Sequence, residues 1–328
     1  MTRVERQDAR ADKPPLLVVA LGGNAIQAPE GEDSVESDFV RTMETARHLV
    51  DVASSGPWRL VVTHGNGPQV GNHLLRSELG NEHGGLPLLP LDVCVADTQG
   101  GMGYMVQQCL SDAFHERGLP AVVVTLVTQT VVDPNDPAFD KPSKPVGEMI
   151  SESRVSALQA LGWTLVKDER RGAWRRVVAS PEPQEVVEAD AVRALVEDGV
   201  IVVAAGGGGI PVVQERTGIL TGLPAVVDKD LASALLASDL AADGLLILTD
   251  VEAVMLNYGS DEERALGALT VEEARRYLSE GQFPAGSMGP KVEALARFVQ
   301  STGKVGIVAS ISGAERALAG EGGTRITA

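Results

Sequence analysis

Six short apolar runs recur along the chain, and most of them lead into glycine or polar loops. Their residues are apolar on both faces, which is typical of interior strands in a mostly parallel sheet. Amphipathic stretches lie between the runs, and the first has apolar residues at three-and-four spacing over 39–53 before Gly56-Pro57 ends it. This alternation predicts an α/β fold, a doubly wound sandwich whose open, mostly parallel central sheet carries helices on both faces. The six runs are residues 16–21, 60–63, 121–128, 200–205, 245–249 and 304–309.

One proline-rich segment, residues 133–183, departs from this rhythm. Within it, the stretches 163–167 and 174–178 flank a charged turn at 168–172, a pattern that predicts a hairpin. We therefore expect a small protruding subdomain or lid at about 133–183, which leaves the main sheet without forming a separate domain.

Composition excludes several classes of protein. With 44% hydrophobic residues the chain can bury a core, and its formal net charge of −17 repels nucleic acids and anionic membranes. Its two cysteines, Cys94 and Cys109, form no C-x-x-C pair, which argues against a disulfide scaffold or a structural zinc site. Residues 1–15 lack the apolar core of a signal peptide. We expect a disordered leader at 1–15, a folded domain at 16–328, a cytoplasmic location, and no membrane or nucleic-acid partner.

Glycine-rich loops follow three of the predicted strands, and ligands in open α/β sheets bind beyond the carboxyl ends of strands. Pro68, after the second loop, suits the first turn of a helix whose amides would face an anion. A further segment at 98–103 is also predicted to precede a helix. Each loop alone is compatible with a tight turn, but together they indicate phosphate handling. The candidate phosphate-binding residues are Gly22, Gly23, Asn24, Gly65, Asn66, Gly67, Gly207 and Gly208.

The same loops argue against other chemistries. None has the G-x-x-x-x-G-K-[ST] pattern of a P-loop, and Val70 and Val106 stand where a dinucleotide-binding fingerprint needs its third glycine. Ser287 lacks the G-x-S-x-G context of a hydrolase nucleophile. His64 beside the second loop is more readily explained as a cap or hydrogen-bonding residue than as a catalyst.

Three lysines stand in settings that suit a phosphoryl group. Lys229 lies where an apolar strand passes into a helix, and Lys291 lies at the start of the predicted helix 292–299, where a cation opposes the helix dipole. Lys144 lies on the proline-rich segment, from which a lid could bring it over a substrate. Asp228 and Asp230 flank Lys229 and could orient it or hold metal-bound water.

Taken together, these motifs resemble the amino acid kinase superfamily and, within it, the carbamate kinase family. The resemblance runs in order from about residue 16 to residue 310. Its motifs are VVALGGNA at 18–25, HGNGPQVGN at 64–72, PLDVCVA at 90–96, TQTVVDP at 128–134, KPVG at 144–147, AGGGGIPVV at 205–213, VDKD at 227–230 and GSMGPK at 286–291.

The resemblance implies one domain with an acceptor lobe at about 16–215 and a nucleotide lobe at about 216–328. It implies reversible, Mg²⁺-dependent phosphoryl transfer between ATP and carbamate, giving carbamoyl phosphate and ADP. It further implies a homodimer, a role in the breakdown of arginine or carbamoyl phosphate, and net flux toward ATP.

By the same resemblance, the glycine loops would hold the transferring phosphoryl group and the small acid. Lys229 and Lys291 would neutralise moving charge, Asp230 would organise them, and Lys144 would reach in from the lid. Ala20 stands where acetylglutamate kinases carry a lysine, which makes Lys144 the obvious replacement cation. No metal site made of protein side chains alone is expected. The nucleotide contacts would be Asp228, Asp250, Tyr258 and Met288.

Three alternatives remain open from the sequence. The first is a kinase of the same fold that acts on another small carboxylate or a phosphonate. The second is a nucleotide-binding sensor without catalysis, which the intact lysine set disfavours. A nicotinamide dehydrogenase is the least favoured. One departure from the family pattern, the acidic Asp97, puts the start of its helix in doubt.

Overall fold

The computed structural model describes residues 13–27, 34–160, 162–168, 172–284 and 286–328. The strands are β1 (Leu16–Leu21), β2 (Arg59–His64), β3 (Val123–Thr125), β4 (Gln129–Val132), β5 (Lys144–Ile150), β6 (Leu165–Asp168), β7 (Ala173–Val178), β8 (Pro183–Val186), β9 (Ile201–Val203), β10 (Ile210–Gln214), β11 (Leu220–Gly222), β12 (Gly244–Thr249), β13 (Val254–Leu256), β14 (Arg264–Leu266), β15 (Ala268–Thr270), β16 (Val305–Ser310) and β17 (Thr324–Thr327). The α-helices are α1 (Val35–Ser54), α2 (Gly67–Gly84), α3 (Leu91–Glu116), α4 (Val155–Ala160), α5 (Ala189–Glu197), α6 (Lys229–Asp239), α7 (Val271–Ser279), α8 (Met288–Thr302) and α9 (Ala314–Ala319). Short 3-10 helices form at Gly23–Ala25, Glu152–Arg154 and Gly206–Gly208.

The central sheet has eight strands in the order β15-β17-β16-β12-β1-β2-β9-β3. The six predicted runs supply the six neighbouring strands from β16 to β3, and all of these pair in parallel. β17 pairs antiparallel with β16, and β15 lies parallel to β17 at that edge. The predicted open, mostly parallel sheet is therefore confirmed.

Helices cover both faces of this sheet, as predicted. Along β1, where every residue is buried, alternate side chains enter two different hydrophobic clusters. Val18 packs in the cluster that includes residues of α6 and α8, whereas Val19 packs with residues of α1 and α3. Strands buried on both faces need apolar residues at every position, which is why the six runs are continuous and not alternating.

The proline-rich segment leaves the body of the molecule from β4 and returns through β8, and these two strands pair antiparallel. Within it, β5, β7 and β6 form a separate three-stranded sheet. The predicted hairpin is confirmed by the antiparallel pairing of β6 with β7, although turn residues 169–171 lie outside the described residues. β4 and β8 belong to a four-stranded sheet, β11-β10-β4-β8, which the sequence did not reveal.

Two boundary predictions were wrong. The segment 98–103 does not precede a helix, because it lies in the middle of α3, and so does Asp97. Its Gly103 is needed for packing and not for a turn: a Cβ there would lie 2.3 Å from Cγ2 of Thr125 on β3. α8 begins at Met288, ahead of the predicted start at 292, so Lys291 lies in its first turn.

The leader was predicted at 1–15, and residues 1–12 lie outside the described residues. The last two leader residues contact the sheet, since Arg59 donates hydrogen bonds to the carbonyls of Pro14 (2.7 Å) and Pro15 (2.9 Å). Among the described residues, no helix has the length and apolar character needed to cross a membrane.

Candidate active site

The first two glycine loops lie side by side at the carboxyl end of the central sheet. Gly22 follows β1 and Gly65 follows β2, and these strands pair through Leu21 and His64. The stem of Lys229 lies against the second loop, because a Cβ built on Gly65 would be 3.2 Å from its Cδ atom. A glycine at position 65 therefore leaves space for the lysine beside the loop.

Asp230 joins the two lysines that the sequence singled out. It is 3% exposed, it accepts a hydrogen bond from Nζ of Lys229 on Oδ1, and it accepts one from Nζ of Lys291 on Oδ2 at 3.0 Å. Lys229 and Asp230 begin α6, whereas Lys291 lies in the first turn of α8. The structure thus brings all three residues together, as the prediction of a shared site requires.

Burial and pairing act in opposite directions on this cluster. Burial alone would raise the pKa of Asp230, but the two ammonium groups hold it at about 2. Burial lowers the pKa of Lys229, an effect that Asp230 opposes and Lys291 reinforces. One carboxylate between two ammonium groups leaves a net positive charge, held in fixed positions beside the glycine loops. Charges fixed before the reaction are what stabilises a transition state most effectively.

Lys144 reaches the same place from the protruding subdomain. Its Nζ donates to Oδ2 of Asp228, the residue that caps α6. The other oxygen, Oδ1, accepts from the backbone N–H groups of Asp230 (2.9 Å) and Leu231 (3.3 Å). Asp228 therefore fixes both the start of α6 and the lid lysine; its predicted contact with a nucleotide stays a prediction.

Two of the amides in these glycine loops are already used in backbone hydrogen bonds and cannot bind an anion. The N–H of Gly22 donates to Leu248 O at 3.1 Å, and the N–H of Gly65 donates to Leu21 O at 3.3 Å, so both amides are used within the fold. The 3-10 helix Gly23–Ala25 and helix α2 both begin without a side-chain cap. The first N–H groups of a helix have no intrahelical partner, so these two helix starts carry the amides suited to an anion.

Asn24 is held at both ends. Its side-chain Nδ2 donates to Oδ2 of Asp250 at 3.0 Å, and its backbone carbonyl accepts from Nε of Arg41 at 2.8 Å. Asp250 follows β12, the neighbour of β1, which places it beside the first glycine loop. Arg41 on α1 was not anticipated, since nothing in the spacing of α1 marks it.

The glycines of the 3-10 helix Gly206–Gly208 are buried against the second loop. A Cβ on Gly206 would lie 2.5 Å from Nε2 of His64, and one on Gly207 would lie 2.2 Å from Nδ2 of Asn66. Gly207 and Gly208 also have positive φ angles, +64° and +89°. Glycine is required here for close packing, which keeps these residues next to the site.

His64 fits the non-catalytic interpretation. Its ring is buried and its Nδ1 lies 3.0 Å from the carbonyl oxygen of Gly65. Burial, with a smaller contribution from Lys229, lowers the pKa of His64 below its usual range. The ring is therefore neutral at pH 7 and packs against the loop.

The remaining predicted nucleotide contacts lie in the carboxyl-terminal half. Tyr258 follows β13 and is 63% exposed, and Met288 is the first residue of α8, three positions before Lys291. Their contact with a nucleotide stays a prediction.

Sequence reasoning missed three polar residues that support the site. Thr98 accepts a hydrogen bond from Asn66 Nδ2 at 2.8 Å, and Gln99 bonds both backbone groups of Thr128 at 2.9 and 3.0 Å. Ser233 donates to Lys229 O at 2.5 Å. Thr98 and Gln99 stand in the segment mistaken for a loop, and recognising that segment as a helix would have revealed them.

Among the described residues, no group of three or more His, Cys, Asp or Glu side chains could hold a metal ion. Mg²⁺ is commonly bound through one or two carboxylates, several waters and substrate phosphates. The exposed carboxylate of Asp250, beside the first loop, is compatible with that mode.

Comparison with known proteins places the chain in a family. The profile of the Amino acid kinase family matches residues 15–310. The chain belongs to this family and is a phosphotransferase. Within the family it belongs with the carbamate kinases: it is 47% identical to the carbamate kinase of Thermococcus kodakarensis, over 94% of this chain and 98% of that protein. A "Carbamate kinase-like protein YahI" from Escherichia coli is 45% identical, over 95% of this chain and 98% of that protein.

Solved structures agree with this placement. Carbamate kinase from Giardia lamblia bound to citric acid is 41% identical and superposes with a TM-score of 0.89, over 95% of this chain and 98% of that one. The same enzyme bound to AMP-PNP gives a TM-score of 0.86 with the same identity and coverage.

Proposed function

We propose that this chain catalyses reversible phosphoryl transfer between ATP and carbamate, giving ADP and carbamoyl phosphate, with magnesium. The observation that carries the proposal is the pairing of Lys229 and Lys291 on buried Asp230, directly beside the Gly65 loop. Phosphoryl transfer needs positioning and compensation of charge more than covalent work by the protein. The carbamate kinase relatives supply the choice of acceptor.

The two halves of the site have different tasks in this proposal. The helix starts at Gly23–Ala25 and at Gly67 present backbone N–H groups to the acceptor and the moving phosphoryl group. The ammonium groups of Lys229 and Lys291 compensate the charge on its oxygens, and Lys144 adds a third cation. The carbamate oxygen is already anionic, so attack requires no general base, which is consistent with a buried, neutral His64.

Magnesium would enter with the nucleotide, and Asp250, an exposed carboxylate beside the first glycine loop, could contact it. When bound, the ion neutralises charge on the nucleotide phosphates. Net flux toward ATP, a role in arginine breakdown and a cytoplasmic location also remain proposals, which follow from the resemblance and the composition.

The decisive experiment is a coupled assay for ATP formed from carbamoyl phosphate, ADP and Mg²⁺ by the purified chain. ATP formation is expected, and no turnover at millimolar substrate would refute the proposal. A panel of small carboxylates and phosphonates with ATP would then identify a kinase of different specificity. Nucleotide binding without any transfer would indicate a sensor.

The lysine roles are tested by Lys229→Ala and Lys291→Ala. Each variant should lower kcat by at least about 100-fold, the loss expected when a preorganised charge is removed. Lys304→Ala is the matched control, because Lys304 pairs only with Asp243 in the contacts described, at 2.8 Å on the surface. Near-normal turnover by both site variants would remove the assignment.

We also propose a homodimer. Apolar side chains are exposed before α3 and along one of its faces, where Val93 and Tyr104 lie eleven positions apart and so on the same side. A second copy of this chain is the occupant that the resemblance favours. The exposed apolar residues of this surface, just before α3 and on its face, are Leu86, Leu88, Leu89, Val93 and Tyr104.

A further inference from the structure

Helix α2 connects the phosphate-facing loop to the protruding subdomain. It begins at Gly67, directly after the second glycine loop, and β5 of the subdomain packs along it. Lys144 is the first residue of β5. The position of Lys144 over the site therefore depends on how firmly β5 is held against α2.

Near its start, α2 meets β5 through two glycines. A Cβ on Gly71 would lie 2.1 Å from Cα of Gly147, so the two backbones touch. This contact allows a close approach, and a long, exposed hydrogen bond from Nδ2 of Asn72 on α2 to Oε1 of Glu148 on β5 (3.4 Å) joins the helix and the strand directly.

Farther along α2, Glu78 makes shorter and less exposed hydrogen bonds, to Arg176 on β7, the neighbour of β5, and to Trp163. Its Oε1 accepts from Nη1 of Arg176 at 2.9 Å and from Nε1 of Trp163 at 3.1 Å. The guanidinium carbon of Arg176 lies 3.9 Å from the centroid of the Trp163 ring, so these two donors also make a cation–π contact with each other. Both Glu78 and Arg176 are largely shielded from water, which strengthens a charge-assisted hydrogen bond.

The Glu78 clamp, meaning Glu78 with Arg176 and Trp163, acts on the strand that carries Lys144. Arg176 lies on β7 and pairs with Val146 of β5, two residues after Lys144. The hydrogen bond from Arg176 to Glu78 therefore restrains β5 close to its first residue, Lys144.

We propose that Glu78 is a positioning residue for phosphoryl transfer: by holding Arg176 and Trp163 it keeps β5 on α2 and so places Lys144 beside Asp228 and the second glycine loop. This inference depends on the proposed function only for its effect on turnover. Its effect on the position of Lys144 does not depend on the reaction.

The first test measures Lys144 directly, without turnover. In the full chain, Glu78→Gln removes the charge but keeps the shape, and acylation of Lys144 by an N-hydroxysuccinimide ester is followed by mass spectrometry. Lys144 should react several-fold faster in this variant, because its pairing with Asp228 is released, whereas exposed Lys141 should not change. Glu82→Gln is the matched control: Glu82 lies one turn later on α2 and its side chain is 64% exposed. An unchanged Lys144 rate in Glu78→Gln would overturn the proposal.

The second test asks whether Glu78 acts through Lys144. Glu78→Gln alone should lower kcat about tenfold, the size expected from losing a charged hydrogen bond, with little change in the KM for ADP. In a Lys144→Ala background the same substitution should have little further effect. Additive losses would show a merely structural role and overturn the proposal. If the chain forms no ATP from carbamoyl phosphate but Lys144 still becomes more reactive, the proposed function fails and the clamp stands.

Discussion

Asp230 is the residue on which the site depends most, and its stability effect has a defined sign. Its folded pKa is about 2, below the usual value of about 3.9, so its ionised form stabilises the fold above pH 4. That contribution is lost as pH falls through the folded pKa. Asp230→Asn should lower the free energy of unfolding at pH 7 by about 3 kcal/mol, because two buried ammonium groups lose their partner.

Urea unfolding at pH 7 and at pH 3 measures this. The difference between the parent chain and Asp230→Asn should shrink at pH 3, because the carboxylate of the unfolded chain, with its usual pKa of about 3.9, is largely protonated there while the folded carboxylate is still mostly ionised. Asp261→Asn, at an exposed position, should differ little from the parent at both pH values. An equal loss for the two variants at pH 7 would contradict the assignment of Asp230.

We predict that the two cysteine thiols do not react with thiol reagents in the folded protein. Cys94 and Cys109 are buried, and burial raises the pKa of each thiol to about 11, so almost no thiolate exists at pH 7. We expect native protein to stay unmodified and active with disulfiram, and mass spectrometry should find both thiols labelled only after unfolding in urea. Fast labelling of the folded chain would contradict the burial of these residues.

At the scale of single residues, the sequence revealed groups whose local setting was unusual. Lys229 and Lys291 were identifiable because each stands at a loop-to-helix junction. Arg41 and Glu78 were not, because each stands within an ordinary amphipathic helix and finds its partner only through long-range packing. Sequence patterns report local conformation, whereas these contacts exist only after α1 and α2 reach their places.

At the scale of elements, continuous apolar runs identified the six neighbouring parallel strands of the central sheet, because strands buried on both faces are apolar at nearly every position. The last two strands at one side of the sheet, β17 and the edge strand β15, were missed, and so was the four-stranded sheet. These strands are short and partly polar, as in β17, where two buried residues alternate with half-buried Arg325 and exposed Thr327. The glycines of α3 resemble a loop in the sequence, but Gly103 serves close packing of this helix against β3.

The contact of α2 with β5 gives an element-scale prediction. Gly71→Ala should displace β5 from α2, because the new methyl group would lie 2.1 Å from backbone of Gly147, and overpacking of this kind costs about 1–3 kcal/mol. Gly84→Ala, at the far end of the same helix, meets only an ordinary contact at 3.7 Å and should be neutral or slightly stabilising. Thermal unfolding and hydrogen exchange over β5 and β7 would measure both effects. Equal stability of the two variants would show that β5 can move away from α2 without lowering the free energy of unfolding, which would contradict the prediction.

At the scale of the whole molecule, the parallel sheet explains why a site could be predicted at all. Four neighbouring strands, β12, β1, β2 and β9, end at one edge, so the segments that follow them must meet there. The three lysines lie on α6, α8 and β5 of the subdomain, and their spacing along the chain does not predict that they meet. Residue types and order thus predicted one half of the site, and resemblance to a family supplied the other half.

Assembly is the last property that belongs to this scale. If the exposed apolar face of α3 joins two copies, light scattering after gel filtration should give about twice the chain mass of 34.3 kDa. Tyr104→Glu would place a charge in that interface and should shift the protein to monomer, because an unpaired charge buried between subunits is costly. Val166→Glu is a suitable control, since Val166 is an exposed apolar residue on β6 of the protruding subdomain. A dimer that survives Tyr104→Glu would place the interface elsewhere, and a parent chain that is monomeric at micromolar concentration would refute the homodimer.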